Sequence, residues 1–336
     1  MQTMLKRWQF ITRIAGFFLG LAAFVLAVYS IPLSEIWSVM RASFNRYLVL
    51  CVFFWIFSIV FQAWRWHVML RWKKPVPFTG ALKLFVMHRL ANLLLPLRAG
   101  EGVRILAARK QFDINIPFLM AASINERILN IAFLVAMAFG LTFVIDDLKP
   151  FQIYLLMAGL IFVAAAAWIL WRRRSELAAA APNPSDFLSI ENRFLRFWYK
   201  FSQGLAILKS PRVLLGVLLT SLGSWCALWL ATIFLLQNIH AASPFLGAWS
   251  VLLFTNLASL LPLTPSNIGP FQWGCILSLS YFGIGRTEAV ALSFVLQAVR
   301  IVSAGLLGLY AFVVDSGLIN LNSTSRRVAE TNQHLL

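Results

Sequence analysis

Charge is scarce in this sequence. Only 12% of its 336 residues are charged, and the acids number 12 against 29 lysines and arginines. A soluble domain carries about 25% charged residues, so a water-facing globular fold is excluded. Cysteine is rare as well. Cys51, Cys226 and Cys275 lie far apart in apolar segments, without a CxxC or Cys/His ligand spacing, and read as small core residues. His67, His88, His240 and His334 are scattered and predict no metal site. The short alternating segments of a membrane β-barrel are missing. So are a zinc motif, a nucleotide-binding glycine loop, a nucleophile elbow and a His/Asp pair, and no catalytic residue or cofactor is assigned.

What is present is apolar length. Hydrophobic residues make up 60% of the chain, and the mean hydropathy is +0.78. Several runs exceed the ~18 residues that mark a membrane-spanning helix. The pattern predicts an all-α polytopic membrane protein, a single integral membrane domain over 1–336. Full crossings are expected at about 14–33, 47–70, 117–145, 151–171, 212–236 and 288–314. The first has basic residues before it, but it is too long for a signal peptide and more spans follow.

The formal net charge of +17 would fit nucleic acid, but its placement argues for a membrane. With the N-terminus in the cytoplasm, most Lys and Arg fall on the inner side, and only Arg41, Arg46, Lys149 and Arg286 fall on the outer side. That is the positive-inside bias. It places both termini in the cytoplasm of a bacterial inner membrane, with anionic lipid at the inner leaflet. The cluster "RWHVMLRWKKPVP" reads as an interfacial anchor at the inner end of the second span. Residues 172–211 form a basic cytoplasmic linker with some amphipathic helix at "RFLRFWYKF", and 315–336 form a polar tail.

Two segments interrupt the apolar pattern, "NLLLPLRAGEGVR" and "SLLPLTPSNIGPFQ". Each has an apolar approach, a polar turn broken by proline, and an apolar exit. Pro96, Gly100 and Gly102 are the predicted turn residues of the first, and Pro262, Pro265, Gly269 and Pro270 those of the second. Proline deletes a donor and glycine lets the chain turn back. Three predicted crossings separate the two turns, so the second unit (about 245–314) is inverted relative to the first (about 79–145). Inverted repeats built on broken helices are a recurring transporter plan, and two re-entrant hairpins are expected to face each other.

Each turn precedes a long helix with an internal arginine, Arg127 or Arg300. An arginine near the bilayer centre costs ~2.5–3.5 kcal/mol and needs a partner or water. Guanidinium binds phosphate through two parallel hydrogen bonds. The candidate head-group residues are Arg98, Glu101, Arg104, Glu126, Arg127, Gln272, Gln297 and Arg300. The competing readings are structural: Arg127 paired with Glu101 or Glu126, Arg300 as a fold residue, Arg98 and Arg104 as snorkelling side chains. Asp146 and Asp147 read as a loop.

"PLRAGEGVR" (96–104) resembles the P-x-R-x-G-E-x-x-R signature of the flippase-like domain family, also called the lysylphosphatidylglycerol synthase transmembrane region. Its second signature, P-G-G-x-G-x-x-E, is similar to 265–272, where Pro265 and Gly269 match. Ser266 and Asn267 replace glycines, and Gln272 stands where the acid would be. The resemblance covers about 10–315. It implies a membrane domain that moves or handles amphiphilic lipids. Some members carry a cytosolic aminoacyl-transfer domain, which is not expected here. Three functions remain open. The leading one is a flippase-like transporter for a phospholipid or polyprenyl-phosphate lipid. A membrane-embedded transferase, or an accessory subunit of lipid or lipid-linked glycan synthesis, would use Glu101 or Glu126 as base. An anion channel, or a scaffold docking a lipid-biosynthesis enzyme through 172–211, is the third.

Overall fold

The computed structural model describes residues 18–29, 31–94, 99–154, 157, 193–239, 243–260 and 264–315. Every regular element among them is helical. In chain order, α1 is Phe18–Val28, α2 Leu33–Ala42, α3 Arg46–Arg71, α4 Phe78–Leu94, α5 Gly100–Phe112 and α6 Ile116–Leu141. They are followed by α7 Arg193–Leu205, α8 Pro211–Leu236, α9 Pro244–Ala258, α10 Pro270–Ser280 and α11 Arg286–Asp315. Four of these helices are long and apolar enough to cross a membrane: α3, α6, α8 and the first 26 residues of α11.

The first predicted span is not one straight helix. Its described part, α1, bends by 83° into α2. Pro32 sits at the bend in extended conformation, where it has no N–H to continue a helix. The predicted outer loop holding Arg41 and Arg46 is therefore mostly helical. Asn45 then starts α3, its side-chain oxygen accepting the Tyr47 N–H at 2.9 Å, an N-cap. The run at 151–171 lies largely outside the described residues. Before it, Asp146–Phe151 forms a 3-10 turn. Lys149 reaches Asp146 at 2.6 Å and holds its carboxyl below the usual range.

Helices α3 and α8 run antiparallel and form the central seam. Tyr47 and Phe54 stack on Phe234 at one end, with ring centroids 6.5 and 5.5 Å apart. Midway, the Ser58 and Ser224 hydroxyls hydrogen-bond at 3.2 Å. At the other end Val68 lies against Gly216. Small residues let helix backbones approach closely, and Gly223 shows why: a Cβ there would come within 2.9 Å of Phe61.

The two interrupted segments are helical hairpins, α4 folded against α5 and α9 against α10. After α3 and after α8 the chain repeats one order: two short helices, then a long one. Each long helix leans on the other set's first short helix. Trp249 of α9 donates to the Met137 carbonyl of α6 at 3.1 Å, and Gly308 of α11 brings Leu90 and Val86 of α4 close. The tips meet, with the Ser266 hydroxyl donating to the Leu93 carbonyl at 3.3 Å. Helix α1 closes over the second tip, its Ala23 carbonyl accepting from Trp273 at 2.8 Å.

Apolar side chains such as Val49, Phe53, Leu219, Leu222, Ile301 and Leu309 face outward. Arg65, Arg104, Glu126 and Gln272 face inward. A hydrocarbon solvent favours that inside-out distribution of polarity.

Candidate functional site

The polar interior is built around Glu126. Helix α6 carries Ser123, Glu126, Arg127 and Asn130 at spacings of three and four, which places them near one face. Each Glu126 carboxylate oxygen takes one guanidinium: Arg65 Nη2 at 2.6 Å from Oε1 and Arg104 Nη2 at 2.9 Å from Oε2. Arg65 also donates to Asn130 Oδ1 at 3.0 Å and Ser221 Oγ at 3.1 Å, tying α3 to α6 and α8. Arg104 lies over the Trp66 ring at 3.9 Å, within the range of a cation–π contact. Arg65 and Arg104 are 1% and 2% exposed. Burial at that depth makes the shared carboxylate a condition of the fold, because an uncompensated buried charge is strongly destabilising.

Above this triad lies a cavity of about 280 Å³, near the lower end of ligand-pocket volumes. Both hairpin tips reach it, through Asn92 and Leu93 from one and Thr264, Ser266 and Asn267 from the other. Among the described lining residues four arginines, Arg89, Arg104, Arg127 and Arg300, face two glutamates, Glu101 and Glu126. Arg127 pairs with Glu101. Arg89 donates to the side-chain oxygen of Gln62, whose amide donates onward to Ser58 at 2.9 Å, so the cavity is wired to the seam. Arg300 lies over the Phe271 ring at 5.2 Å. Buried donors without a described partner remain at Arg89 Nε and at Arg104 Nε and Nη1.

A family model, lysylphosphatidylglycerol synthase TM region, matches residues 13–308. The chain belongs to that family. Neither a curated protein nor a solved structure matches it. The chain is therefore a multi-pass membrane protein tied to lipid biosynthesis or translocation.

In this family member, Glu101, Arg104, Glu126, Arg127 and Arg300 line one cavity. Gln272 and Gln297 stand behind it. Gln272 is wholly buried; it accepts the Gly269 N–H at 2.7 Å and donates to Gln297 at 3.1 Å, so it braces the second tip. Pro96, Arg98 and Pro262 lie outside the described residues. Gly100 opens α5 with its N–H on Asn92 Oδ1 at 2.9 Å, so tightly that a Cβ would meet the His88 carbonyl at 2.4 Å. Gly102 is not a turn residue. It lies inside α5 with open space where a Cβ would go. In the second tip, Pro265 begins a 3-10 turn, Ser266 and Asn267 take left-handed conformations (φ 54° and 58°), and Pro270 opens α10. Gly269 has φ 97°, and a Cβ there would strike the Gly20 carbonyl. The three positions where the signature has glycines, 266, 267 and 269, are thus the three that take positive φ.

Sequence reasoning missed Arg65 and Arg89. Arg65 belongs by sequence to the inner anchoring cluster, yet it is buried against Glu126. The available signals were an arginine flanked by tryptophans inside a long apolar helix, and an arginine one turn after Phe85 in the apolar α4.

Proposed function

We propose that the chain is a flippase-like transporter in the bacterial inner membrane, handling lipids with an anionic, phosphate-bearing head group. One observation carries this reading: the described lining of the cavity holds two positive charges in excess, in a molecule whose outer surface is apolar. Guanidinium excess in a low-dielectric site calls for an anion, and phosphate suits guanidinium geometry. Arg104, Arg127 and Arg300 would contact the head group, Glu101 and Glu126 would hold the arginines in place, and Gln272 and Gln297 would support the second tip.

The repeated helix order and the antiparallel α3/α8 seam favour an inverted repeat, with α3 and α8 its first members. The hairpins α4/α5 and α9/α10 would then be re-entrant, dipping in from opposite faces and exposing the head group to alternate sides. The enzyme alternative finds less support, because both oxygens of Glu126 and one of Glu101 are taken by arginines.

The test is transbilayer movement of a fluorescent phosphatidylglycerol in proteoliposomes. Movement should require the protein and fall sharply with Arg127→Ala and with Arg300→Ala. Movement unchanged by both substitutions refutes the site.

A further inference from the structure

The walls of the cavity differ in hydrogen-bond polarity. Helices α4, α5 and α6 bring Arg89, Arg104 and Arg127 to it, and guanidinium groups only donate. Helices α8 and α9 and the second tip bring neutral side chains, among them Thr232, Thr255, Asn256, Thr264 and Ser266. All five of these spend a proton on the backbone. Thr232 donates to the Leu228 carbonyl at 2.9 Å, Thr255 to Val251 at 2.6 Å and the Asn256 amide to Leu252 at 2.8 Å. In the tip, Thr264 donates to the Ile268 carbonyl at 2.6 Å and Ser266 to that of Leu93 at 3.3 Å.

Back-bonding of this kind is common for Ser and Thr in helices. Its consequence here is the polarity that remains. A hydroxyl has one hydrogen and two lone pairs, so a hydroxyl that has donated can only accept. Asn256 likewise keeps its Oδ1 as an acceptor. Ser123 shows the arrangement in use: its hydroxyl donates to the Leu119 carbonyl at 3.1 Å and accepts from Arg104 at 3.4 Å. The cavity therefore offers donors on one wall and acceptors on another. At about 280 Å³ it is small enough for one head group to meet both.

We propose that the wall built by α8, α9 and the second tip is a subsite for a neutral, hydroxyl-bearing group, so that the preferred lipid is a phosphodiester of glycerol or of a single sugar. The inference rests on the head-group reading above and narrows it. The phosphate oxygens accept from the arginines, and the hydroxyls beyond the phosphate donate to Thr232, Thr255, Asn256, Thr264 and Ser266. The donor is a hydroxyl and not an ammonium because of where the acids are. Among the described lining residues the two acids, Glu101 and Glu126, lie on α5 and α6, and both are engaged by arginines. The accepting wall has none among its described residues. A buried ammonium would meet only neutral oxygens there, which leaves its charge uncompensated. A hydroxyl carries no such cost. A methyl ester or a trimethylammonium has no hydrogen to give and would leave the wall unmatched.

The experiment compares lipids of equal charge that differ in hydroxyls. Binding of phosphatidylglycerol and of phosphatidylmethanol to the purified full-length protein is measured in phosphatidylcholine nanodiscs. Phosphatidylglycerol is expected to bind about fivefold or more tighter, the size of two modest neutral hydrogen bonds. Thr255→Val and Asn256→Leu keep the approximate shape of the side chains, and together they should bring phosphatidylglycerol down to the level of phosphatidylmethanol. Thr255→Ser keeps the hydroxyl and should keep the preference. An equal loss for both lipids in the valine and leucine variants marks a structural role and overturns the subsite. Where the double variant does not fold, the comparison in the unaltered protein still decides: a preference below about twofold overturns the subsite and leaves the head-group reading standing. If neither anionic lipid binds saturably, the head-group reading falls and the subsite with it. Phosphatidylethanolamine tests the ammonium, and binding equal to that of phosphatidylglycerol overturns the hydroxyl assignment. Glycerol 3-phosphate is added as a competitor. If it displaces phosphatidylglycerol at equal concentration, a free polyol phosphate is the ligand and the lipid assignment falls.

Discussion

Replacing Glu126 by glutamine tests whether the buried triad holds the bundle together. The change keeps size and one carbonyl oxygen but removes the charge that Arg65 and Arg104 share. Their side chains are 2% exposed and that of Glu126 10%, so water cannot take over. Removing one partner of a buried ion pair costs about 3–5 kcal/mol. The glutamine oxygen still accepts from one guanidinium, which places Glu126→Gln near the lower end and Glu126→Ala near the upper. Glu101→Gln is the internal comparison. Its pair with Arg127 is 28% and 42% exposed, and pairs reached by solvent contribute about 0–1 kcal/mol. The assay is SDS-driven unfolding in mixed micelles followed by tryptophan fluorescence. Trp66, stacked on Arg104, contributes a signal from the site itself. The expected order is wild type, then Glu101→Gln slightly below, then Glu126→Gln well below both. If Glu126→Gln unfolds within about 1 kcal/mol of wild type, or Glu101→Gln loses as much, the triad does not organise the interior.

Gly100→Ala should cripple folding, since its Cβ would lie 2.4 Å from the His88 carbonyl, whereas Gly102→Ala should be neutral or raise stability by up to about 1 kcal/mol through helix propensity; unfolding midpoints of the two variants check this, and equal losses would contradict it. Cysteines introduced together at Leu93 and Ser266, in a background lacking Cys51, Cys226 and Cys275, should crosslink under mild oxidation because the tips touch there, and failure to crosslink in the membrane would separate the tips. Gln272→Glu restores the signature acid but removes the donor to Gln297 and adds a charge to a wholly buried position. It should lower the unfolding midpoint, and an unchanged midpoint would show that this position accepts a charge.

The long helices were legible because apolar length is a direct signal: four expected spans reappear as α3, α6, α8 and α11 with ends shifted by a few residues. The hairpins were legible as interruptions, since Pro265, Gly269 and Pro270 mark a break wherever they occur. Partnerships were not legible. Arg65 sits within the run that sequence reads as an interfacial anchor, and only the packing of α3 against α6 brings it to Glu126. The role of Arg89 is equally hidden, because the residue that receives it, Gln62, lies on another helix. Gly102 shows the reverse error. Glycine in a polar, charged stretch reads as a turn, but a turn needs positive φ or close approach, and Gly102 has open space at its Cβ.

The two halves share a plan and differ in charge, and the difference locates the chemistry. In the first half the hairpin exit helix carries Glu101, which neutralises Arg127 on the following long helix. At the corresponding place in the second half stands Gln272, which bonds to Gln297 and carries no charge. An acid at that position would lower the positive excess around the cavity by one charge. An anion in the cavity would meet residues of both halves and stabilise whichever arrangement brings α4 and α11 together. An effector shifts a conformational equilibrium only through such a difference in affinity between states. Head-group charge would then select the conformation as well as the lipid, so lipids differing by one negative charge should differ in how strongly they hold the tips in contact, a quantity the 93–266 crosslinking rate measures directly.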